Sequence, residues 1–158
     1  MKIFKIYAIA VSLLMLMVAC GDDKPTQDVT RPQIEGNTLG DIEYDWKLVS
    51  VNGVEPEFTV YINFSAGIFN IYQQLYTLDY VLYDGEYSIK GKVVSGTYFD
   101  GMPWKSSYVG DLTPDGEVLT LVSNEENPIT CVYEMCEIPE EVITEATTRS
   151  AVAFDYHL

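Results

Sequence analysis

The chain has 158 residues and a formal net charge of −15 at pH 7, and aromatic residues make up 13% of it. This length predicts one domain, and the strong negative charge excludes nucleic acid as a partner because it repels phosphate backbones. The same charge excludes attachment to an anionic membrane through a basic patch, so any membrane attachment would have to come from a lipid.

Residues 1–19 have the three parts of an export signal. Lys2 and Lys5 give a positive start, residues 6–18 are almost wholly apolar, and Ala19 is a small residue at the end. The apolar run is shorter than the roughly 20 residues that a transmembrane helix needs. The sequence therefore predicts a signal peptide over residues 1–19.

The residues around Cys20 resemble the lipobox of bacterial lipoproteins: Leu16-Met17-Val18-Ala19-Cys20-Gly21. Ala19 and Cys20 match the pattern, whereas Met17 stands where leucine is usual. The resemblance implies that the chain is cut before Cys20 and that this cysteine carries a diacylglycerol thioether. Two or more acyl chains anchor a protein stably in a bilayer. The alternative is an ordinary secretory signal with an incidental cysteine.

Residues 20–40 are predicted to form a lipidated, acidic and flexible linker, because they are polar and rich in Asp, Pro, Thr and Gly. Gly21-Asp22-Asp23 resembles the acidic signal that directs many Bacteroidota lipoproteins to the outer face of the outer membrane. That resemblance implies a location in the cell envelope, anchored to the outer membrane and exposed at the surface. The alternative is a solvated linker that is acidic for other reasons.

Residues 41–142 have the pattern of an antiparallel β-domain, with short apolar and aromatic runs about every ten residues. Turn signals such as Asn52-Gly53 separate these runs. Nine segments are predicted as strands: 44–51, 58–64, 68–75, 79–83, 86–90, 92–99, 104–112, 118–122 and 129–135. Asp84-Gly85 is a turn signal between the fourth and fifth, but these two segments remain open as one bent element. After a helical turn at 139–142, residues 143–158 are predicted to be a polar tail.

The strand pattern resembles that of bacterial lipocalin-like lipoproteins of the Bacteroidota type over about residues 44–150. Turns and core aromatics carry the resemblance: Trp46-Lys47-Leu48-Val49-Ser50-Val51-Asn52-Gly53, Phe69-Asn70-Ile71-Tyr72-Gln73, Tyr83-Asp84-Gly85-Glu86-Tyr87 and Ser95-Gly96-Thr97-Tyr98-Phe99-Asp100-Gly101. The resemblance implies an all-β fold, namely a small antiparallel up-and-down barrel of the calycin type with eight strands. It implies no cofactor and no chemistry.

Catalysis is not predicted, because nucleophilic catalysis needs a base beside the nucleophile and the only histidine is His157 in the tail. A histidine-based metal site is not predicted for the same reason. Carboxylate pairs stay open as the least favoured hypothesis, although each candidate suits a turn or a solvated face: Asp79, Asp84, Glu86, Asp100 and Asp111.

Two cysteines remain beside Cys20, and both fall near the last predicted strand. Cys131 and Cys136 are five residues apart, which on one strand gives about 16 Å and opposite faces. A disulfide tolerates a Cα separation of only about 7 Å. The spacing predicts two free thiols unless the strand ends before Cys136.

The aromatic residues are the one feature that points to a function. Seven of them are predicted to line the barrel interior as candidate ligand-binding residues: Trp46, Phe64, Phe69, Tyr87, Tyr98, Trp104 and Tyr108. An eight-stranded barrel is either filled by its side chains or holds one small ligand. The first hypothesis is a monomeric, membrane-anchored binder of a small apolar or amphipathic molecule. The alternative is a non-catalytic interaction module with a packed core that binds a protein or glycan through its loops.

Overall fold

A computed structural model of the chain describes residues 39–74 and 77–149, and over these it is an all-β barrel of eight antiparallel strands with one short extra strand. The predicted fold class is confirmed. Cys20, the signal peptide, nearly all of the predicted linker and His157 lie outside the described residues. The elements are β1 Asp45–Val51, β2 Val60–Ser65, β3 Ile68–Gln74, β4 Tyr80–Lys90, β5 Val93–Tyr98, β6 Tyr108–Leu112, β7 Val118–Ser123, β8 Thr130–Cys136, α1 Glu140–Glu145 and β9 Thr147–Thr148.

The barrel has up-and-down topology, because each strand from β1 to β8 pairs with the next along the chain and β8 pairs back with β1. Alternation of side chains explains the closure. In β2, Val60, Ile62 and Phe64 are buried and alternate with less buried neighbours. Because successive side chains on a strand point to opposite faces, such a strand has one apolar face for the interior.

The β1–β2 connection starts with the predicted Asn52-Gly53 turn, which is confirmed. Asn52 has φ 51° and Gly53 has φ 79°, and these left-handed conformations are those of the tight hairpin turn that this dipeptide favours. Backbone hydrogen bonds of 2.8 and 3.0 Å join Val51 and Val54 across it.

The interpretation of Asp84-Gly85 as a turn is wrong, and the alternative of a single element is confirmed. β4 runs without a break from Tyr80 to Lys90. A Cβ on Gly85 would lie 2.2 Å from the Thr97 carbonyl oxygen and 2.8 Å from Cε1 of Phe69. This glycine therefore marks a close approach of β5 and an aromatic ring inside a strand.

The seventh predicted strand is shorter than expected, because β6 begins at Tyr108 and Trp104 lies outside it. In the described part of the chain, β5 and β6 pair only through Val93 with Val109 and Val94 with Tyr108. Beyond Val94 the two strands separate, and we call this gap the seam. Residues 99–107, which connect β5 to β6, cover the seam, and we call them the strap.

The end of the barrel at which β1 begins is covered by the residues that precede it, and we call it the closed end. Leu39 and Ile42 belong to the hydrophobic core, although Leu39 falls within the predicted linker. The Leu39 backbone N–H donates to the Gly91 carbonyl at 2.8 Å. A Cβ on Gly110 would lie 2.7 Å from Cδ2 of Leu39, so a glycine makes room for this side chain.

The C-terminal elements pack on the outside of the barrel. Ile138 and Val142 are buried against Tyr72 in a second, smaller apolar cluster. β9 then pairs in parallel with the Val81–Leu82 edge of β4. α1 and β9 thus extend the folded region past the predicted helical turn.

Candidate binding site in the barrel interior

The aromatic residues predicted to line the interior are almost all buried. Trp46 and Phe69 are 0% exposed, Phe64 is 1% exposed, and Tyr98 and Tyr108 are 4% and 3% exposed. Trp104 is 5% exposed, and Tyr87 is partly buried against the same core. The barrel therefore has an aromatic core.

Four of these residues form one chain of edge-to-face contacts. The ring centroid of Phe69 lies 5.3 Å from that of Tyr98 and 5.0 Å from that of Trp104. The rings of Trp104 and Tyr108 are 6.0 Å apart. Such contacts add to the stability that burial alone provides. The rings fill this part of the interior, so a ligand would have to take the place of one of them.

The other three candidates lie in two further contacts. Phe64 and Tyr87 pack edge to face at 4.8 Å. Trp46 packs edge to face against Tyr44 at 6.4 Å, and its indole N–H donates to the Ile42 carbonyl at 3.0 Å. Trp46 is thus bonded to the segment that covers the closed end.

Trp104 is held differently, because its indole Nε1 is buried and has no hydrogen-bond acceptor among the residues that the structure describes. A buried donor left without a partner costs about 1–3 kcal/mol. Its backbone N–H donates to the Gly96 carbonyl at 2.9 Å. A Cβ on Gly96 would lie 2.4 Å from Cε2 of the indole, so the ring lies directly on the backbone of β5.

The polar groups near these rings stay neutral at pH 7. Burial raises the pKa of the Cys131 thiol to about 11, and it raises the pKa of the Tyr133 hydroxyl well above its usual value. Burial also raises the pKa of Tyr108. The interior therefore disfavours charge, and the part of any ligand that it holds must be uncharged.

Cys131 and Cys136 are both free, as predicted. Cys131 is fully buried among the interior residues, whereas Cys136 packs with the outer cluster beside α1. The two thiols lie on opposite faces of β8, which is why they do not meet.

Sequence reasoning missed two buried tyrosines and the residues that cover the closed end. Tyr83 is 1% exposed and Tyr133 is 0% exposed. Both lie on predicted strands. Tyr83 alternates with Val81 and Gly85 on the inner face of β4, and this period-two signal identifies it once β4 is read as one strand. Leu39 gives no such signal, because it precedes the strands.

Among residues 39–74 and 77–149, the surface cavities outside the aromatic set include the following three. The first, of about 330 Å³, is bordered by residues 77–81, α1 and Arg149. The second, of about 170 Å³, lies along β1 and residues 55–59. The third, of about 460 Å³, is bordered by Glu117, Val118, Glu134 and Met135.

Within residues 39–74 and 77–149, no group of three or more His, Cys, Asp or Glu side chains is placed to hold a metal ion. The same residues include no helix of the length and apolar character that crossing a membrane requires. Comparison with protein families, with curated proteins and with solved structures finds no match to the chain. The architecture is consistent with a calycin-like barrel.

Proposed function

We propose that this protein is a lipid-anchored, non-catalytic barrel that binds a small apolar or amphipathic molecule in its aromatic interior. The observation that carries this proposal is the position of Trp104. This ring belongs to a connection and not to the barrel wall, and its buried N–H has no acceptor within the described residues. Trp104 is therefore the interior side chain whose replacement by a ligand costs least.

The energetics of replacement follow from this geometry. When the indole leaves the interior, its N–H regains hydrogen bonds with water, which offsets part of the lost burial. A ligand that fills the vacated space restores the apolar contacts with Phe69 and Tyr108. The other core tryptophan gains nothing on leaving, because its N–H already donates to the Ile42 carbonyl.

Binding is tested by titration with N-phenyl-1-naphthylamine, an uncharged dye that fluoresces in apolar sites. We expect saturable binding at one site per chain. Trp104→Ala should bind the dye at least tenfold more tightly, because the space is already vacant and no displacement is needed. Val54→Ala, at a residue that is 68% exposed, is the control and should bind like the unaltered protein. Absence of binding in both the unaltered protein and Trp104→Ala would contradict the proposal.

The membrane anchor is proposed from the sequence around Cys20. The lipobox resemblance supports lipidation, and the excess of acidic residues leaves a lipid as the means of attachment. Expression of the full chain in a Gram-negative host with a labelled fatty acid tests it. We expect the label in the protein and the protein in the outer-membrane fraction, and Cys20→Ser should abolish both. A soluble mature protein with an unmodified Cys20 thiol would contradict the anchor.

The surface cavity beside α1 favours a second candidate, an interaction module that binds another protein through its loops. Leu78 borders this cavity and is 88% exposed. Leu78 and the cavity together would offer a partner an apolar contact and a recess to fill. If the dye binds neither the unaltered protein nor Trp104→Ala, this second function is favoured.

A further inference from the structure

We infer that the ligand enters the barrel through the seam between β5 and β6, and that the site vacated by Trp104 is a flat slot for an uncharged planar aromatic ring. This inference rests on the proposed function, since it names the route and the ligand class of the same interior site.

The seam is the part of the barrel wall where β5 faces the strap and no longer pairs with β6. β5 and β6 pair at two positions near Val94, and past this point the described strands are bridged by the strap alone. Three backbone hydrogen bonds tie the strap to β5: the Tyr98 N–H donates to the Met102 carbonyl at 2.8 Å, the Gly101 N–H donates to the Tyr98 carbonyl at 2.8 Å, and the Trp104 N–H donates to the Gly96 carbonyl at 2.9 Å. A fourth bond of 3.1 Å, from the Phe99 N–H to the Asp84 carbonyl, ties the start of the strap to β4. Breaking the Tyr98–Met102 and Trp104–Gly96 bonds frees the part of the strap that carries Trp104, while the other two bonds still hold residues 99–101.

The far end of the strap is held separately, so that it can act as a hinge. The Asn124 backbone N–H donates to the Ser107 carbonyl at 2.8 Å and lies 3.1 Å from the Ser106 hydroxyl oxygen. These bonds join the strap to the β7–β8 connection and do not involve β5. Movement of residues 102–105 away from β5 therefore leaves residues 106–107 in place.

The outer surface of the strap is apolar where a ligand would first meet it. Phe99 is 59% exposed and Met102 is 46% exposed. Exposed apolar side chains of this size attract apolar molecules from water. They flank the Thr97–Pro103 bridge, next to Trp104.

The shape of the slot follows from how the indole lies. A Cβ on Gly96 would be 2.4, 2.7 and 2.8 Å from Cε2, Cζ2 and Cδ2 of Trp104. Cζ2 and Cδ2 are both bonded to Cε2 and are almost equally distant, so the Cβ would lie over the face of the ring and the ring plane rests on the β5 backbone. The rings of Phe69 and Tyr108 meet the indole at steep angles of 63° and 76°. A planar ring can take the place of the indole between these surfaces, whereas a puckered saturated ring of the same size is thicker than the indole that it would replace.

The seam is tested by locking the strap with a disulfide. Thr97 and Pro103 are exposed antiparallel partners, and the hydrogen bonds on either side make them a non-hydrogen-bonded pair with a Cα separation of about 4.5 Å. That separation suits a disulfide. The double variant Thr97→Cys/Pro103→Cys should therefore be lockable by oxidation and unlocked by a reductant in the same sample.

The matched control places a disulfide on the other side of β5. Ser88 and Ser95 are exposed partners on β4 and β5, and their hydroxyl oxygens are 3.2 Å apart. Ser88→Cys/Ser95→Cys pins β5 to β4 but leaves the strap free. Mass spectrometry confirms each engineered bridge and the free thiols of Cys131 and Cys136.

Calorimetric titration with 2-naphthol and with its saturated analogue decahydro-2-naphthol is the measurement. We expect the unaltered chain to bind 2-naphthol at least tenfold more tightly than the analogue. Oxidation of the strap variant should weaken 2-naphthol binding at least tenfold, reduction should restore it, and the control variant should bind equally in both states. Equal binding by the oxidised and reduced strap variant overturns the route, and equal binding of the two compounds overturns the planar slot. Failure of both the unaltered chain and Trp104→Ala to bind overturns the proposed function itself.

A second measurement on the unaltered sequence needs no engineered bridge. In protein labelled with ¹⁵N-tryptophan, 2-naphthol should move the indole signal of Trp104 to the position of a solvent-exposed indole. The Trp46 signal should stay in place. A Trp104 signal that remains that of a buried indole at saturation would show that the ligand does not replace the ring, and the inference would fail.

Discussion

The two tryptophans of this chain lie in the same aromatic core but belong to different parts of the molecule. Trp46 is on β1 at the closed end, is 0% exposed, and donates its indole N–H to Ile42. Trp104 is on the strap, is 5% exposed, and its indole N–H meets no acceptor in the part of the chain that the structure describes. Equal burial therefore does not imply an equal structural role.

The difference arises from the backbone around each ring. At the closed end, β1 pairs with both β2 and β8, and Leu39 and Ile42 cover the core. At the seam, the strap is joined to β5 by three backbone hydrogen bonds and is not part of a strand. Trp46 belongs to the barrel wall, whereas Trp104 occupies space that the wall leaves open.

The largest effect is expected when each tryptophan is truncated to alanine. Trp46→Ala should lower the free energy of unfolding by about 3–5 kcal/mol, the usual cost of emptying a core site of this size. Trp104→Ala should lower the free energy of unfolding by about 1–3 kcal/mol less than Trp46→Ala does, because it also removes an unsatisfied donor. Urea denaturation measures both. Equal losses would mean that the two rings have the same role.

The next largest effect is expected from replacing a glycine with alanine next to the strap and, as a comparison, at the closed end. Gly96→Ala places a Cβ 2.4 Å from the indole of Trp104 and should expel the ring, at a cost of about 1–3 kcal/mol. Gly110→Ala is the control at the closed end, where the Cβ meets the flexible tip of Leu39 at 2.7 Å. Acrylamide quenching in a Trp46→Phe background should increase for Gly96→Ala alone. Unchanged quenching would contradict the flat contact of the indole with β5.

A smaller effect isolates the indole N–H groups. Trp46→Phe leaves the Ile42 carbonyl without its donor and should destabilise the protein by about 1–2 kcal/mol more than Trp104→Phe does. Both changes remove the same atoms, so the difference between them reports the hydrogen bond. Urea midpoints measure it, and the contrast is broken if Trp104→Phe proves the more costly change.

The smallest effect concerns pH and tests whether the aromatic interior is dry at rest. Burial raises the pKa of Cys131 to about 11 in the folded chain from an ordinary value of 9.0. A raised folded pKa gives stability that is complete below the unfolded pKa and is lost as pH rises through the folded one. The free energy of unfolding should therefore fall by about 1 kcal/mol between pH 8 and pH 10 from this thiol. Cys131→Ala should lack that part of the decline, and an identical pH profile for both chains would indicate that water reaches the thiol.

Much of the fold is predictable from the sequence because strand alternation and turn chemistry are local. Asn52-Gly53 forms the expected turn, and Val60, Ile62 and Phe64 face inward as their spacing predicts. Gly85 misled the prediction because its missing side chain accommodates Phe69 and β5. That requirement comes from residues distant in sequence, so no local pattern shows it.

The candidate site was predictable in its residues but not in its arrangement. Aromatic side chains on strands are expected inside a barrel, and six of the seven candidates are buried. The sequence gives no sign that Trp104 lies on a connection and that its N–H lacks an acceptor among the described residues. Both facts depend on where β5 and β6 separate, which is a property of the closed barrel.

Hydrogen exchange of the two indole N–H protons tests the central contrast most directly, because a ¹⁵N-tryptophan sample gives one signal for each ring. We predict that the Trp104 proton exchanges at least tenfold faster than the Trp46 proton, through opening of the strap without unfolding of the barrel. Equal protection of both protons, at the level set by global unfolding, would show that Trp104 is as much a part of the wall as Trp46.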